Sequence, residues 1–178
     1  EINNFYLLVL SSIICPLIKL TYVGSLIFPV AAVIYCNQNM KIFLLGANGQ
    51  VGWELQRSLA PLGAIMACNR HSGNLENLDD LSTLIRDYCP EIIVNAAAYT
   101  AVDNAESEPE KAYQINTKAV DFLAQEAKQL NAWFIHYSTD YVFDGDKKGV
   151  YLENDTPNPQ SVYGQTKFAA EEAIKKSQ

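Results

Sequence analysis

Histidine is scarce in this chain, with two residues in 178, and the four cysteines, Cys15, Cys36, Cys68 and Cys89, include no C-x-x-C pair and match no zinc-site spacing. Neither zinc binding nor dithiol redox chemistry is therefore expected. With 49% hydrophobic residues the chain has enough apolar material to hold a core without disulfides, so the thiols are read as reduced, as in a cytoplasmic protein. Positive charge is also sparse: 13 Lys and Arg stand against 20 Asp and Glu, a net charge of −7, and no basic cluster occurs. A nucleic-acid or anionic-membrane surface must offset phosphate charge, so a small-molecule partner fits better. Internal repeats and low-complexity tracts are missing too, and the length allows one well-developed domain rather than two.

One stretch is rich in what the rest uses sparingly. From Phe5 to Cys36 the residues are almost all apolar, interrupted mainly by Pro16, Lys19 and Pro29. That length permits a membrane span, which needs ~20 apolar residues. A signal peptide does not fit, because no positively charged start or small-residue cleavage site stands out and the first residue is Glu1. The first methionine, Met40, directly precedes KIFLLG, where a folded pattern begins. The simplest expectation divides the chain into an apolar extension, 1–39, translated in frame from upstream sequence, and a working domain, 40–178. The rival reading makes 1–39 a membrane anchor; without it no membrane association is expected.

From residue 40 the pattern alternates. Lys41–Gly46 is a short apolar run ending in glycine, Val51–Ala60 has helical spacing with Val51, Leu55 and Leu59 on one face, and Ala64–Cys68 is apolar again. A helix is expected over 77–88, stopped by Pro90, and a buried strand over Ile92–Asn95. Ser107 and Glu110 have capping-box spacing with Pro109 between them, opening a helix whose Ala112, Ile115, Ala119, Leu123 and Ala127 share a face. Ala132–Tyr137 reads as a fourth strand, 144–160 as a long loop, and 162–176 as a last helix. Apolar strands separated by single helices imply an α/β fold, a doubly wound parallel sheet of Rossmann-like type.

Gly46-Ala47-Asn48-Gly49-Gln50-Val51-Gly52 falls between the first strand and the first helix, where a dinucleotide pyrophosphate can sit on free helix N–H groups. Gly46 would permit the tight turn, Gly49 the close approach of phosphate, and Gly52 close packing of helix on strand. An ordinary strand–helix turn is the bland alternative. After the second strand, where a carboxylate favours NAD and an arginine accepts the NADP phosphate, stand Asn69 and Arg70. This favours NADPH, with NADH use left open and Arg70 as a plain surface charge the alternative. Asn74 and Leu75 are candidates to lie against the adenine.

Tyr163 and Lys167 are one helical turn apart, on one face of the last expected helix. A free phenol has a pKa of ~10, and a neighbouring ammonium lowers it, making Tyr163 a candidate proton donor to a carbonyl oxygen while Thr139 donates a hydrogen bond. The same spacing describes many amphipathic surface helices. What favours the catalytic reading is the segment Ser138-Thr139-Asp140-Tyr141 after the fourth strand, at the sheet edge where ligands bind in such folds. Asn95-Ala96-Ala97-Ala98-Tyr99-Thr100, after the third strand, offers small side chains along the cofactor's path. Asn116, polar inside a helix, either supports Lys167 or faces solvent. His136 reads as a packed imidazole.

Four segments in one order, GANGQVGWELQRSLAPLG at 46–63, VNAAAYTAVDNAESEPE at 94–110, HYSTDYVFDG at 136–145 and VYGQTKFAAE at 162–171, together resemble the dTDP-4-dehydrorhamnose reductases of the extended short-chain dehydrogenase/reductase family. The resemblance spans about 40–178. It implies an oxidoreductase that uses NADPH or NADH to reduce dTDP-4-dehydro-L-rhamnose to dTDP-L-rhamnose, the rhamnose donor for cell-surface polysaccharide. It also implies that Gln50, Val51 and Gly52 contact the dinucleotide, that Ala98, Tyr99, Thr100 and Tyr137 line it, and that Thr139 and Asp140 hold the sugar. Tyr163 becomes the proton donor and Lys167 its orienting partner on the nicotinamide ribose. Glu54 matches a glutamate that helps hold magnesium at a homodimer contact in some members. Asn69 and Asn74 depart from the family's usual aspartates. The family also continues beyond the position of Gln178 with a region that binds the nucleotide sugar, so the chain is expected to be C-terminally truncated, with an exposed sheet edge that invites aggregation. Two other readings remain on the same scaffold: a nucleotide-sugar epimerase or dehydratase, and a non-catalytic subunit resembling the regulatory subunit of methionine adenosyltransferase.

Overall fold

The computed structural model describes residues 5–8 and 39–177. Five parallel strands, β1 (Phe5–Leu8), β2 (Met40–Leu45), β3 (Gly63–Cys68), β4 (Ile92–Asn95) and β5 (Trp133–Tyr137), form one sheet in the order β1-β5-β4-β2-β3. The strand order reverses at β2, which is flanked by β3 on one side and β4 on the other. In doubly wound sheets the crevice at such a reversal is where ligands bind.

Side chains of the central strands point alternately to two separate cores. Phe43, Leu45, Ile93 and Phe134 face one core, completed by Leu81 and Ile85 of α2 (Leu78–Tyr88), Leu123 and Ala127 of α5 (Ala119–Leu130), and Ala170 and Ile174 of α6 (Val162–Ser177). Ile42, Leu44, Ile92 and Val94 face the other, where Leu55 and Leu59 of α1 (Gln50–Leu59) pack. Burial on both faces explains why β2 and β4 read as unbroken apolar runs. α2 and α5 are also clamped at one point, where the buried carboxylate of Glu126 accepts hydrogen bonds from Arg86 at 2.9 and 2.6 Å.

The α/β class and parallel sheet agree with the sequence reading, while several local expectations do not. Val51 is 43% exposed, so only Leu55 and Leu59 of the anticipated α1 triad pack inward. The capping box is not formed: the Ser107 hydroxyl donates to the Asn104 carbonyl at 3.0 Å within α3 (Val102–Ser107), and α4 (Pro109–Tyr113) starts without a side-chain cap. A proline in the first turn suits that start, because its missing N–H is needed by no helical bond. The expected single helix then widens into a π-helix over Gln114–Lys118 before α5. Such widenings often mark functional positions. The edge expected to be exposed is occupied: β1 runs parallel to β5, with Phe5 opposite Phe134 and Leu8 opposite Tyr137. Apart from β1 and Asn39, the readings of 1–39 as upstream sequence or anchor fall outside the described residues, as do Cys15 and Cys36. Cys68 and Cys89 are free thiols. Among the described residues no helix is long and apolar enough to cross a membrane.

Leu123 is fully buried where α5 meets the sheet, whereas Leu152 is 57% exposed on the loop before α6. Leu123→Ala is expected to lower the unfolding free energy by about 2–5 kcal/mol through lost burial and a residual cavity. Leu152→Ala should stay within about 0.5 kcal/mol of the parent in the same urea titration.

Candidate active site

The turn after β2 is shaped by close backbone approach. Gly46 has φ +82°, and a Cβ there would lie 2.7 Å from the Ala96 backbone at the end of β4. A Cβ on Gly52 would lie 2.0 Å from the Gly46 carbonyl oxygen, so this glycine lets α1 close on the turn itself rather than on the strand. Gly49, the N-cap residue, brings no side chain to the helix's first N–H groups. Gln56 holds the arrangement from the next turn, its amide donating to the carbonyls of Ala47 at 2.9 Å and Gly52 at 3.2 Å. The result is an open helix N-terminus with a glycine-lined approach, which fits the pyrophosphate of a dinucleotide. Gln50 and Val51 are exposed on its rim.

Next to it, after β3, lies a cleft of about 300 Å³ lined by Arg70, His71, Ser72, Gly73, Asn74 and Asn77, among others. Arg70 is exposed and pairs with Glu76 at 3.4 Å, leaving its guanidinium at the mouth of the cleft. The Asn69 side chain accepts from the backbone N–H groups of His71 and Ser72 at 2.8 and 3.2 Å, and Asn74 does the same for Glu76 at 3.0 Å. Both asparagines thus shape their own turns. Leu75 belongs to the core at 5% exposure.

At the end of β4, Ala98 is half-buried and Thr100 is exposed. The Tyr99 backbone is fixed on both sides by Asn116, which accepts from Tyr99 N at 2.8 Å and donates to Tyr99 O at 3.1 Å. Asn116 also donates to Thr166 Oγ1 at 3.2 Å, and Thr117 donates to the Thr166 carbonyl at 2.7 Å. The π-helix therefore ties the β4 loop to α6, and Asn116 is buried rather than solvent-facing. The Tyr99 hydroxyl is engaged by Glu108, which pushes its pKa up.

Beyond β5, Thr139 and Asp140 open a short helical turn over Asp140–Val142. Gly164 lets α6 sit against that turn, since a Cβ there would fall 2.3 Å from the Tyr141 carbonyl oxygen. Tyr163 thereby comes over Thr139, with the Tyr141 ring edge-on at 5.6 Å. Burial pushes the Tyr163 phenol above its ordinary pKa, and a hydrogen bond with the Thr139 side chain acts the other way. The expected lowering of the phenol by the lysine is not found. Lys167, 2% exposed, instead donates to the Tyr137 carbonyl at 2.6 Å and lies 3.0 Å from His136 Nε2. Burial lowers Lys167 to about 8, against an opposing pull from Glu171, a buried carboxylate that accepts from the Ser138 hydroxyl. The Tyr137 ring is half-buried at the same strand end.

Thr139 and Tyr163 are thus brought together, the Lys167 ammonium reaches from α6 to the end of β5 behind them, and the glycine turn lies at the carboxyl end of the same sheet. Glu54 does not join them; its carboxylate pairs with Arg57 at 2.9 Å on the outer side of α1. No group of three metal-ligating side chains occurs among the described residues, so magnesium does not fit there on the residues present. Sequence reasoning missed Gln56 and Glu171, although each stands four residues after a singled-out position, Gly52 and Lys167.

The family model described as RmlD substrate binding domain matches residues 40–178. The chain is 52% identical over 139 residues to the dTDP-4-dehydrorhamnose reductase of Escherichia coli K12, covering 76% of this chain and 46% of that protein. It is 38% identical over 136 residues to the spore coat polysaccharide biosynthesis protein SpsK of Bacillus subtilis, covering 76% and 48%. The chain thus spans about half the length of the curated relatives it matches. Among solved structures, dTDP-4-dehydrorhamnose reductase from Bacillus anthracis in complex with NADP superposes with a TM-score of 0.75 at 34% identity, covering 78% of this chain and 50% of that one. A UDP-glucose 4-epimerase from Brucella ovis in complex with NAD, with a TM-score of 0.70 at 20% identity over 77% and 47% of the two chains, shares the fold alone.

The buried pair predicts a characteristic pH response. His136 is held well below its ordinary 6.5, first by burial and then by Lys167, so as pH falls below about 6.5 the unfolded chain takes up a proton that the folded chain refuses. Stability is lost on that side. Lys167 is lowered from 10.5 to about 8, so between those values the unfolded chain again holds the extra proton and stability rises with pH. Urea midpoints measured across both windows should show these slopes, the acid one flattened in His136→Gln and the alkaline one in Lys167→Met.

Proposed function

The chain belongs to the RmlD substrate binding domain family, and from that premise we propose that it carries the dinucleotide-binding and catalytic part, over 40–178, of an enzyme that reduces dTDP-4-dehydro-L-rhamnose to dTDP-L-rhamnose with NADPH or NADH. The observation that carries this reading is the close seating of α6 on the Thr139–Val142 turn through Gly164, which brings the Tyr163 side chain to Thr139 at the carboxyl end of β5, on the sheet edge that also bears the glycine turn. In this reading Gly46, Gly49, Gln50, Val51 and Gly52 receive the pyrophosphate, and Ala98, Tyr99, Thr100 and Tyr137 line the path toward the nicotinamide. Arg70 serves a 2′-phosphate, exchanging its bond to Glu76 for it, which favours NADPH.

The bound dinucleotide supplies a hydride to the carbonyl carbon. As negative charge develops on the carbonyl oxygen, the Tyr163 phenol gives up its proton to it, and the Thr139 hydroxyl donates a hydrogen bond. Burial suits Tyr163 to this role by keeping the proton in place until the oxygen becomes basic. Lys167, charged below about pH 8, offers its remaining N–H to a ribose hydroxyl of the dinucleotide. Asp140, exposed beside Thr139, is suited to sugar hydroxyls. The same reading places the reaction in the cytoplasm. A magnesium ion at Glu54, with the homodimer contact it would serve, would need oxygen ligands from outside the described residues.

Tyr163→Phe removes the transferred proton and leaves the glycine turn untouched. In the complete reading frame, oxidation of NADPH in the presence of the keto sugar should fall by about 10²–10⁴-fold, with NADPH binding retained. A complete reading frame that consumes no NADPH with this sugar in its unsubstituted form would instead be a binding subunit of the same fold.

A further inference from the structure

His136, on β5 between β1 and β4, is 1% exposed and takes no part in the proton transfer from Tyr163. Its Nε2 lies 3.0 Å from Lys167 Nζ, while Nδ1 faces Asn95 of the neighbouring strand, whose side-chain nitrogen is 3.3 Å away. An ammonium can only donate, so Nε2 accepts from it and the ring proton is assigned to Nδ1, whose N–H then has the Asn95 backbone as its partner and not the Asn95 side-chain NH2, itself a donor. The Asn95 backbone favours that proton. The Asn95 side chain is itself fixed by the Ala97 N–H at 3.0 Å, and Phe134 stacks near the imidazole with ring centres 6.1 Å apart. The ring is thus held with one lone pair aimed at the lysine.

We propose that His136 is a positioning residue for Lys167: its Nε2 takes one of the three ammonium N–H groups, the Tyr137 carbonyl takes a second, and the third is left for a ligand hydroxyl. The inference rests on the reading of Lys167 given above, yet its test needs no turnover. The groups around the ammonium are few. Glu171 on α6 is the charged one, held by Ser138; Asn95 and His136 supply neutral polar atoms from β4 and β5, and Tyr163 stands one turn earlier on α6. A side chain that merely filled space at position 136 would leave the lysine's protonation to burial and Glu171. A side chain that accepts a hydrogen bond from the ammonium adds to the stability of the charged form.

The Lys167 ammonium is titrated in the whole chain by carbon NMR of labelled lysine, in the parent, His136→Phe and His136→Gln, each first shown to be folded by near-ultraviolet circular dichroism. The parent should titrate at about 8. His136→Phe, which keeps bulk and removes the acceptor, should move the midpoint down by about one pH unit. His136→Gln, with a carbonyl oxygen to accept, should return most of that shift. His136→Leu replaces the phenylalanine variant if that one does not fold. An unchanged Lys167 midpoint in the folded apolar variant overturns the proposal, and so does a shift that glutamine fails to recover. Failure of the reductase reading would appear elsewhere, as missing NADPH oxidation by the complete reading frame with an intact Lys167 response.

Discussion

Parallel pairing sends the carboxyl end of every strand to the same edge of the sheet, and the candidate site depends on that constraint. Because β2, β4 and β5 are parallel neighbours, the glycine turn, the Ala96–Thr100 segment and the Ser138–Thr139 step leave the sheet side by side. Contact between the segments is then a matter of backbone clearance. Gly46 approaches Ala96, Gly52 approaches Gly46, and Gly164 approaches Tyr141, each at a distance that a Cβ would not allow. These three approaches bring the functional segments within reach of one another.

Behind this edge lies a chain of polar groups in an otherwise apolar interior. Asn95, His136, Lys167, Glu171 and Ser138 are all buried, and no buried side-chain polar atom among the described residues lacks a partner. Burying charge is costly unless it is paired and hydrogen-bonded, and the pKa directions follow from that cost. The lysine is pulled down by burial and held up by Glu171, while the imidazole stays neutral beside it. Asn116 and Thr117, presented by the π-helix, anchor the same helix that carries Tyr163 and Lys167. The proposed proton donor and its lysine therefore sit on an element fixed from both sides of the cleft.

Much of this was legible in the sequence because it is written in local pattern. Two-sided burial leaves apolar runs at 42–45 and 92–94, glycine spacing marks the turn, and Tyr163 and Lys167 lie one helical turn apart. What escaped was tertiary. Whether Ser107 caps a helix depends on which of two adjoining helices takes its hydroxyl, and whether His136 is packing or partner depends on a lysine 31 residues away. The lowering of the Tyr163 phenol assumed that Lys167 points at it, whereas Tyr137 and His136 turn the ammonium toward β5. The pairing of Phe5–Leu8 with β5 carried no signal beyond apolar composition.

Whether this edge of the sheet receives a dinucleotide is read from amide NMR of the chain during NADPH addition. Saturable shifts are expected to concentrate in 46–52, 69–74, 96–100 and 137–140, with the exposed α2 surface around Asp87 unchanged. Shifts confined to other surfaces, or none at all in a folded sample at millimolar NADPH, would contradict dinucleotide binding at this edge.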